Sequence, residues 1–291
     1  MRTIKTHQYK DKILLLGFNS DLTEIKLSKG ITIRKGTEEE LNEIYDKIKY
    51  DNAKNQQFLV EYEYLESNES TFPKKLFRLL DDLNIFFKIF IEGETKVAYA
   101  LRHLYSNGEF QSIGFVTNPK VRTYFLKDFF LDPSDSERII KLWDKYQKQS
   151  ENKTMQISLR RFLFSIEKHE HEDQIIDLII AFEALFVRIK ENKISQKMSE
   201  RVAILLSEAT NREKVFNFLR DAYNTRSQIV HGSSFELNSM NSKEKYLHLS
   251  GIVNTLSDLL NQCFYLKIVD FTEHSSDELI EELEKRLKTN S

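Results

Sequence analysis

The amino-acid sequence predicts an α+β protein, with a strand-rich, mixed α/β region at residues 1–135 and an all-helical region at residues 136–291. Short apolar runs, some ended by glycine and some alternating with polar residues, fill the first region and are typical of strands. Beyond about residue 135 these runs largely stop, and apolar residues recur at the three- and four-residue spacing of helices. Only three Pro and eight Gly occur in 291 residues, which favours long regular elements.

The first region contains several predicted strands and one clearly marked helix. Thr37 and Glu40 have the spacing of a capping box, which predicts a helix from there to about Lys49. Gly93 separates two apolar runs and predicts a hairpin between them. The predicted strands are residues 12–17, 22–27, 31–34, 58–65, 84–91, 97–102 and 111–117. We therefore expect a mixed α/β domain in this half of the chain.

The second region is a series of predicted helices. A second capping box, Ser134 to Glu137, begins a helix that contains Trp143. The helix around residue 180 is apolar almost all the way round, which predicts that it is the buried centre of a bundle. The further predicted helices are residues 158–169, 172–190, 195–209, 212–230, 243–269 and 276–287.

Composition excludes several classes of protein. The net charge is −2, so any binding of nucleic acid needs a local patch of positive charge. The single cysteine, Cys263, excludes an internal disulfide and a Cys-based zinc site. His169 and His171 lie two positions apart, so they point to different faces of a helix and do not indicate a metal site. We predict neither a metal nor a cofactor.

The sequence also predicts a cytoplasmic protein that has no membrane partner. The N-terminus lacks the apolar segment of a secretory signal, and no run of about 18 apolar residues occurs.

Residues 221–232 carry the most informative pattern. They read Asp-Ala-Tyr-Asn-Thr-Arg-Ser-Gln-Ile-Val-His-Gly, so that four residues separate Arg226 from His231 and Gly232 follows. RNA contains its own nucleophile, the 2′-OH, and its cleavage needs an acid, a base and positive charge at the phosphate. Histidine exchanges protons near neutral pH, and the arginine guanidinium matches phosphate oxygens. The pair therefore fits RNA cleavage without a metal.

Spacing on the helix complicates this interpretation. Five positions along a straight α-helix turn two side chains apart by about 140°. Gly232 is a typical residue for ending a helix, and we expect His231 to leave the regular direction there. The C-terminal end of the helix dipole also favours a positively charged imidazole.

Three segments in order carry a resemblance to a known family. They are Ala181-Phe-Glu-Ala-Leu-Phe186, the helix at 199–206, and the pattern from Tyr223 to Gly232. Over about residues 155–265, this ordered set resembles the Apea-like branch of the HEPN superfamily. Residues 27–34, followed by a Thr-Glu-Glu-Glu-Leu helix start, resemble the region that precedes this domain in such proteins.

The resemblance implies a helical bundle that forms a homodimer, in which two Arg-x4–6-His motifs face each other and cut RNA without a metal. Arg226 and His231 match the catalytic pair. Ser227 takes a position that is often Asn, His or Asp in the superfamily. The resemblance further implies a role in antiphage defence, abortive infection or a toxin-like stress response, with a phage or host protein trigger or an antitoxin as partner.

Three further residues are predicted to support the site. Glu183 lies in the middle of the apolar central helix and needs a partner, for which Arg226 is suitable. Tyr223 either lines the cleft and stacks on a base or packs in the core. Asp177 fits a surface or capping partner better than a catalyst. The alternative interpretation is a purely structural Arg226–Glu183 pair, with His231 capping the helix end.

A weaker indication comes from Lys190, Lys193, Lys197 and Arg201, which recur at helical spacing. They predict either an RNA-binding stripe or a solvated helix face.

Two functions from different classes remain open. One is a metal-independent endoribonuclease, and the other is a non-catalytic HEPN module that dimerises and binds RNA, a nucleotide or a protein partner. A third hypothesis assigns the N-terminal region to sensing a phage or host component and restraining the nuclease.

Overall fold

The computed structural model confirms the α+β fold class, with antiparallel strands followed by helices. The chain divides into two compact units, residues 1–144 and 145–291. The predicted boundary after residue 135 coincides with the start of the helix Ser136–Ser150, within which the observed division falls. The structure describes residues 6–48, 56–67, 74–91, 95–118, 128–232 and 239–289.

The first unit is built on a six-stranded antiparallel sheet and a separate parallel pair. The strands are β1 (Thr6–Leu16), β2 (Phe18–Ser20), β3 (Glu24–Ser28), β4 (Ile31–Lys35), β5 (Phe58–Ser67), β6 (Lys96–Ser106), β7 (Glu109–Thr117) and β8 (Phe129–Leu131). The large sheet has the order β3-β4-β5-β1-β6-β7, and β2 pairs with β8. Asn107 and Gly108 have φ angles of 53° and 82°, which is the conformation of a two-residue hairpin turn between β6 and β7.

Two helices of the first unit test the predictions there. The helix α1 (Glu38–Tyr45) begins with the predicted capping box of Thr37 and Glu40, but it ends before Lys49. The predicted strand at residues 84–91 is wrong, because these residues belong to α2 (Lys74–Phe90). Its buried leucines and phenylalanines recur every three or four residues from Leu76 onward, which is a helical spacing. The hairpin predicted with this strand is therefore also wrong, and Gly93 lies outside the described residues.

A further helix, α3 (Ser136–Ser150), begins differently from the prediction. A 3-10 turn, Pro133–Asp135, precedes it, and the cap is Asp132, whose carboxylate accepts the Ser134 amide at 2.8 Å. The predicted capping box from Ser134 to Glu137 is wrong for this reason. Trp143 is fully buried and packs edge-on against Phe86 of α2, with ring centroids 5.0 Å apart.

The second unit is a helical bundle around one buried helix. Its helices are α4 (Lys153–Glu167), α5 (His171–Phe186), α6 (Ile194–Leu205), α7 (Arg212–His231), α8 (Ser242–Val269) and α9 (Ser276–Thr289). All six were predicted, and their ends lie up to five residues from the predicted limits. The central helix is α5, which packs against α4, α6, α7, α8 and α9. The prediction of a buried central helix is thus confirmed, and Asp177 is buried together with the apolar residues of α5.

Candidate functional site

The helix α7 carries most of the predicted site, and both of its ends are clearly defined. Asn211 caps its start by accepting the Lys214 amide at 2.9 Å. Its buried face consists of Val215, Leu219 and Ala222. The helix ends at Gly232, whose φ of 64° and ψ of 21° are in the left-handed region that favours glycine. This geometry makes His231 the last helical residue.

His231 is exposed at this helix end. The prediction that His231 leaves the regular helical direction is wrong, because His231 still belongs to α7. The side chains of Arg226 and His231 therefore leave the helix about 140° apart. Ser227 is half-buried and lies one helical turn before His231, so these two share a face. Within one chain, the helix brings Ser227 and His231 together and separates Arg226 from them.

Glu183 of the central helix lies beside Tyr223 and Arg226 of α7. Burial is the main influence on Glu183 and raises the pKa of its carboxyl group. The positive charge of Arg226 and the nearby Tyr223 hydroxyl act in the opposite direction and offset only part of this effect. The pKa of Tyr223 is also raised, by its own burial and then by the negative charge of Glu183. We call these three residues the Glu183 cluster.

Arg226 is half-buried and keeps an unused donor. Its guanidinium carbon lies 6.0 Å from the centre of the Tyr223 ring, one turn earlier on α7. Its Nε is buried and forms no hydrogen bond with any residue that the structure describes. A buried donor without a partner costs free energy, and a ligand that accepts its hydrogen bond recovers that cost. Arg226 therefore lies near Glu183 and still has an unused hydrogen-bond donor.

Asp177 is part of a different contact. It is buried, and its carboxylate accepts a hydrogen bond from Arg161 of α4 at 2.8 Å. The prediction of a surface or capping role for Asp177 is wrong, because the helix face that carries it packs against α4. This ion pair between a half-buried arginine and a buried carboxylate joins α4 to α5. Asp177 therefore belongs to this contact and not to the Glu183 cluster.

The basic stripe predicted from helical spacing does not form a single surface. Arg201 is only 1% exposed and donates to both carboxylate oxygens of Glu191, to Glu284 and to the carbonyl of Phe186. Lys197 pairs with the same Glu191 at 2.8 Å. Only Lys190 and Lys193 are exposed, and both have positive φ angles in the connection between α5 and α6. The prediction of an RNA-contacting stripe is therefore wrong for Arg201.

A surface groove that the sequence did not predict lies between the start of α6 and the middle of α7. Its volume is about 520 Å³, and Tyr223 of the Glu183 cluster forms part of its wall. Arg220, one turn before Tyr223, lines the same groove and was missed. The signal for it was present, since Arg220, Tyr223 and Arg226 follow one another at three-residue spacing on one helix. The other principal polar lining residues are Glu191, Lys193, Gln196 and Asn224.

Neither a metal-binding cluster nor a membrane-spanning helix occurs among the residues with a described position. No group of three or more His, Cys, Asp or Glu side chains in that part of the chain is arranged to hold a metal ion. His171 instead contacts Gln174 at 2.7 Å and the ring of Tyr246. No helix there has the length and apolar character required to span a bilayer.

Comparison with known proteins gives no relative for this chain. No protein-family model, no curated protein and no solved structure matches it. The resemblance to the Apea-like HEPN branch therefore remains a prediction that rests on the motifs in the sequence.

Proposed function

We propose that this protein is a metal-independent endoribonuclease of the Apea-like HEPN type, acting through Arg226 and His231. The observation that carries the proposal is the state of these two side chains on α7. Arg226 is held beside Glu183 and Tyr223 with a buried, unused Nε donor, and His231 is exposed at the helix end. Arg226 offers a positive charge with an unused hydrogen-bond donor, and His231 offers an accessible group that can carry a proton.

The reaction uses the nucleophile that RNA itself provides. His231 takes the proton of the 2′-OH, whose oxygen attacks the adjacent phosphorus. The bond from phosphorus to the 5′ oxygen breaks, and that oxygen receives a proton from a general acid. The products are a 2′,3′-cyclic phosphate and a 5′-OH end. Arg226 stabilises the negative charge on the phosphate oxygens during the transfer.

A homodimer supplies the second proton carrier. Since Arg226 and His231 leave α7 about 140° apart, one chain does not aim both at the same phosphate. A two-fold dimer brings a second copy of each motif into one cleft, so one His231 acts as base and its copy acts as acid. Single-stranded RNA is the expected substrate, because its backbone can adopt the in-line geometry of attack. The assignment to antiphage defence, with a protein trigger or antitoxin, rests on the family resemblance.

Cleavage of end-labelled single-stranded RNA in the presence of EDTA tests the proposal. The wild type is expected to cut, whereas Arg226→Ala and His231→Ala are expected to reduce the rate at least about 100-fold. His248→Ala is the matched control, because His248 is an exposed histidine on α8, outside the proposed site. Light scattering and circular dichroism establish that each variant is folded and has the oligomeric state of the wild type.

Two results contradict the proposed mechanism. One is equal cleavage of a substrate with a 2′-deoxy nucleotide at the cut site, because that substrate lacks the nucleophile. The other is a His231→Ala protein that cuts at the rate of the His248→Ala control.

The contact between Arg226 and Glu183 favours a second candidate function, a non-catalytic HEPN module that dimerises and binds RNA, a nucleotide or a partner protein. In that case Arg226 is held near Glu183 for packing alone. Wild-type protein then binds without cutting, and Arg226→Ala loses stability or dimerisation in place of activity. Measuring unfolding and oligomeric state beside cleavage separates the two functions.

A further inference from the structure

The groove between α6 and α7 has the chemistry of a site for an anion. Arg220 and Lys193 are both exposed in its wall, and neither forms an ion pair with any residue in the described part of the chain. Gln196 and Asn224 add amide groups that donate and accept hydrogen bonds. The groove therefore presents two available positive charges beside neutral polar groups.

The carboxylate in the groove wall does not cancel these charges. Glu191 is engaged by Arg201 at 2.7 Å and by Lys197 at 2.8 Å, and its carboxylate also accepts the Arg188 amide at 3.0 Å. The Arg201 hydrogen bonds in particular hold the pKa of Glu191 well below its usual range. Because this negative charge is matched by buried or paired cations behind the groove, Arg220 and Lys193 give its open side a positive charge.

Tyr223 connects the groove to the Glu183 cluster. Its ring is part of the groove wall and lies beside Arg226. An aromatic ring next to positive charge is a surface on which a nucleic-acid base stacks. Tyr223 precedes His231 by eight residues, which is about 12 Å along the helix axis. A strand of RNA that passes His231 thus has room for one or two nucleotides before it reaches the groove.

We propose that this groove binds single-stranded RNA next to the cut site, with Arg220 and Lys193 contacting a backbone phosphate and Tyr223 stacking on a base. The inference rests on the proposed ribonuclease function for the identity of the ligand. It adds a recognition site distinct from Arg226 and His231, which act on the phosphate that is cut. A free nucleotide has the same phosphate and base chemistry, and the experiment separates these two sources.

Binding of a fluorescent 2′-O-methyl oligoribonucleotide to the full chain tests the groove without cleavage, because this RNA lacks the 2′-OH nucleophile. Arg220→Gln and Lys193→Gln are each expected to weaken binding about fivefold. The dependence of log affinity on log salt concentration is expected to become shallower by about 0.7 for each lost phosphate contact. Arg160→Gln is the matched control, since Arg160 is an exposed arginine on α4, away from the groove lining.

Parallel cleavage assays distinguish failure of the groove from failure of the ribonuclease. If Arg220→Gln binds RNA as tightly as Arg160→Gln while His231-dependent cleavage persists, the proposed RNA-binding role of the groove is wrong and the proposed ribonuclease activity stands. If the wild type binds through Arg220 and Lys193 but never cuts, the nuclease fails and the groove stands. Absence of any RNA binding overturns the groove. Competition by AMP at micromolar concentration, lost in Arg220→Gln, assigns the groove to a free nucleotide and also overturns the proposal.

Discussion

Two arginines of the helical unit, Arg201 and Arg226, each lie beside a glutamate of a neighbouring segment, but their surroundings differ. Arg201 is fully buried and gives its donors to Glu191, Glu284 and a backbone carbonyl. Arg226 is half-buried, and its Nε forms no hydrogen bond within the described chain. A guanidinium that donates to several acceptors within the fold indicates a role in holding it, whereas one with an unused donor retains capacity for a ligand.

The two glutamates show the same difference from the acidic side. Hydrogen bonds from Arg201 hold the pKa of Glu191 below its usual range. Burial raises the pKa of Glu183, and the attraction of Arg226 does not compensate for it. Arg201 thus compensates for the burial of Glu191, whereas Arg226 does not compensate for the burial of Glu183. Residue type alone does not separate a structural arginine from a candidate catalytic one, whereas partners and burial do.

Replacing each arginine by methionine gives the largest expected contrast. Arg201→Met leaves Glu191 buried without its main partner, so the free energy of unfolding is expected to fall by about 4 kcal/mol. Arg226→Met removes a partly exposed charge that only partly offsets the burial of Glu183, and the expected loss is under about 1 kcal/mol. Urea unfolding monitored by circular dichroism measures both. Equal losses would show that Arg226 is as structural as Arg201, which favours the non-catalytic function.

The pH dependence of stability sharpens the comparison, because the pKa values of the two glutamates are shifted in opposite directions. Glu191 has a lowered pKa in the folded state, so it stabilises the fold at neutral pH and loses this effect as pH falls below its ordinary value of 4.5. Glu183 has a raised pKa, so its ionisation costs stability as pH rises from 4.5 through the raised value.

Replacing each glutamate by glutamine tests these two opposite pH dependences separately. Glu191→Gln is expected to lower the free energy of unfolding at pH 7 by about 3 kcal/mol, with a smaller loss at pH 4. Glu183→Gln is expected to raise it at pH 7, with the gain disappearing as pH falls to 4.5 and below. Urea unfolding at pH 7, 5.5 and 4 checks both expectations. A loss of stability in Glu183→Gln that is greatest at pH 7 would contradict the assignment for the Glu183 cluster.

The sequence predicted the helical unit more accurately than the first unit. Apolar spacing fixed α4 to α9 within a few residues, since each helix has a face that packs against α5 or its neighbours. The helix α2 was missed because residues 84–91, considered alone, form a nearly continuous apolar run, which fits a buried strand as well as a buried helix. The hairpin between β6 and β7 was not predicted, although its Asn107-Gly108 turn is a strong hairpin signal in the sequence.

The candidate site was predictable where it depends on local pattern and not where distant segments meet. Glu183 in an apolar helix requires a partner, and this requirement predicts Arg226 from the sequence alone. The burial of Arg201 depends on Glu284, 83 residues away in sequence, and helical spacing contains no information about that contact. The groove at Arg220 likewise requires the packing of α6 against α7.

Among the expected effects on RNA binding, the smallest belongs to Tyr223→Phe, which separates the hydroxyl of this residue from its ring. Loss of the hydroxyl beside Glu183 is expected to lower the free energy of unfolding by under about 1 kcal/mol. The pKa of Glu183 should rise further, because the Tyr223 hydroxyl favours the ionised carboxylate. Affinity for 2′-O-methyl RNA is expected to stay unchanged, since the ring remains, whereas Tyr223→Ala should weaken it about tenfold through lost stacking.

Tyr246→Phe is the matched control, because Tyr246 is an exposed tyrosine whose ring contacts His171. Its variant is expected to match the wild type in urea unfolding and in RNA binding. If Tyr223→Phe and Tyr223→Ala bind RNA equally well, the ring has no part in recognition, and Tyr223 serves only Glu183. If both lose affinity equally, the hydroxyl contacts the ligand, and the Glu183 cluster and the groove act as one site, in which the unused donor of Arg226 and the charges at Arg220 and Lys193 hold neighbouring parts of the same strand.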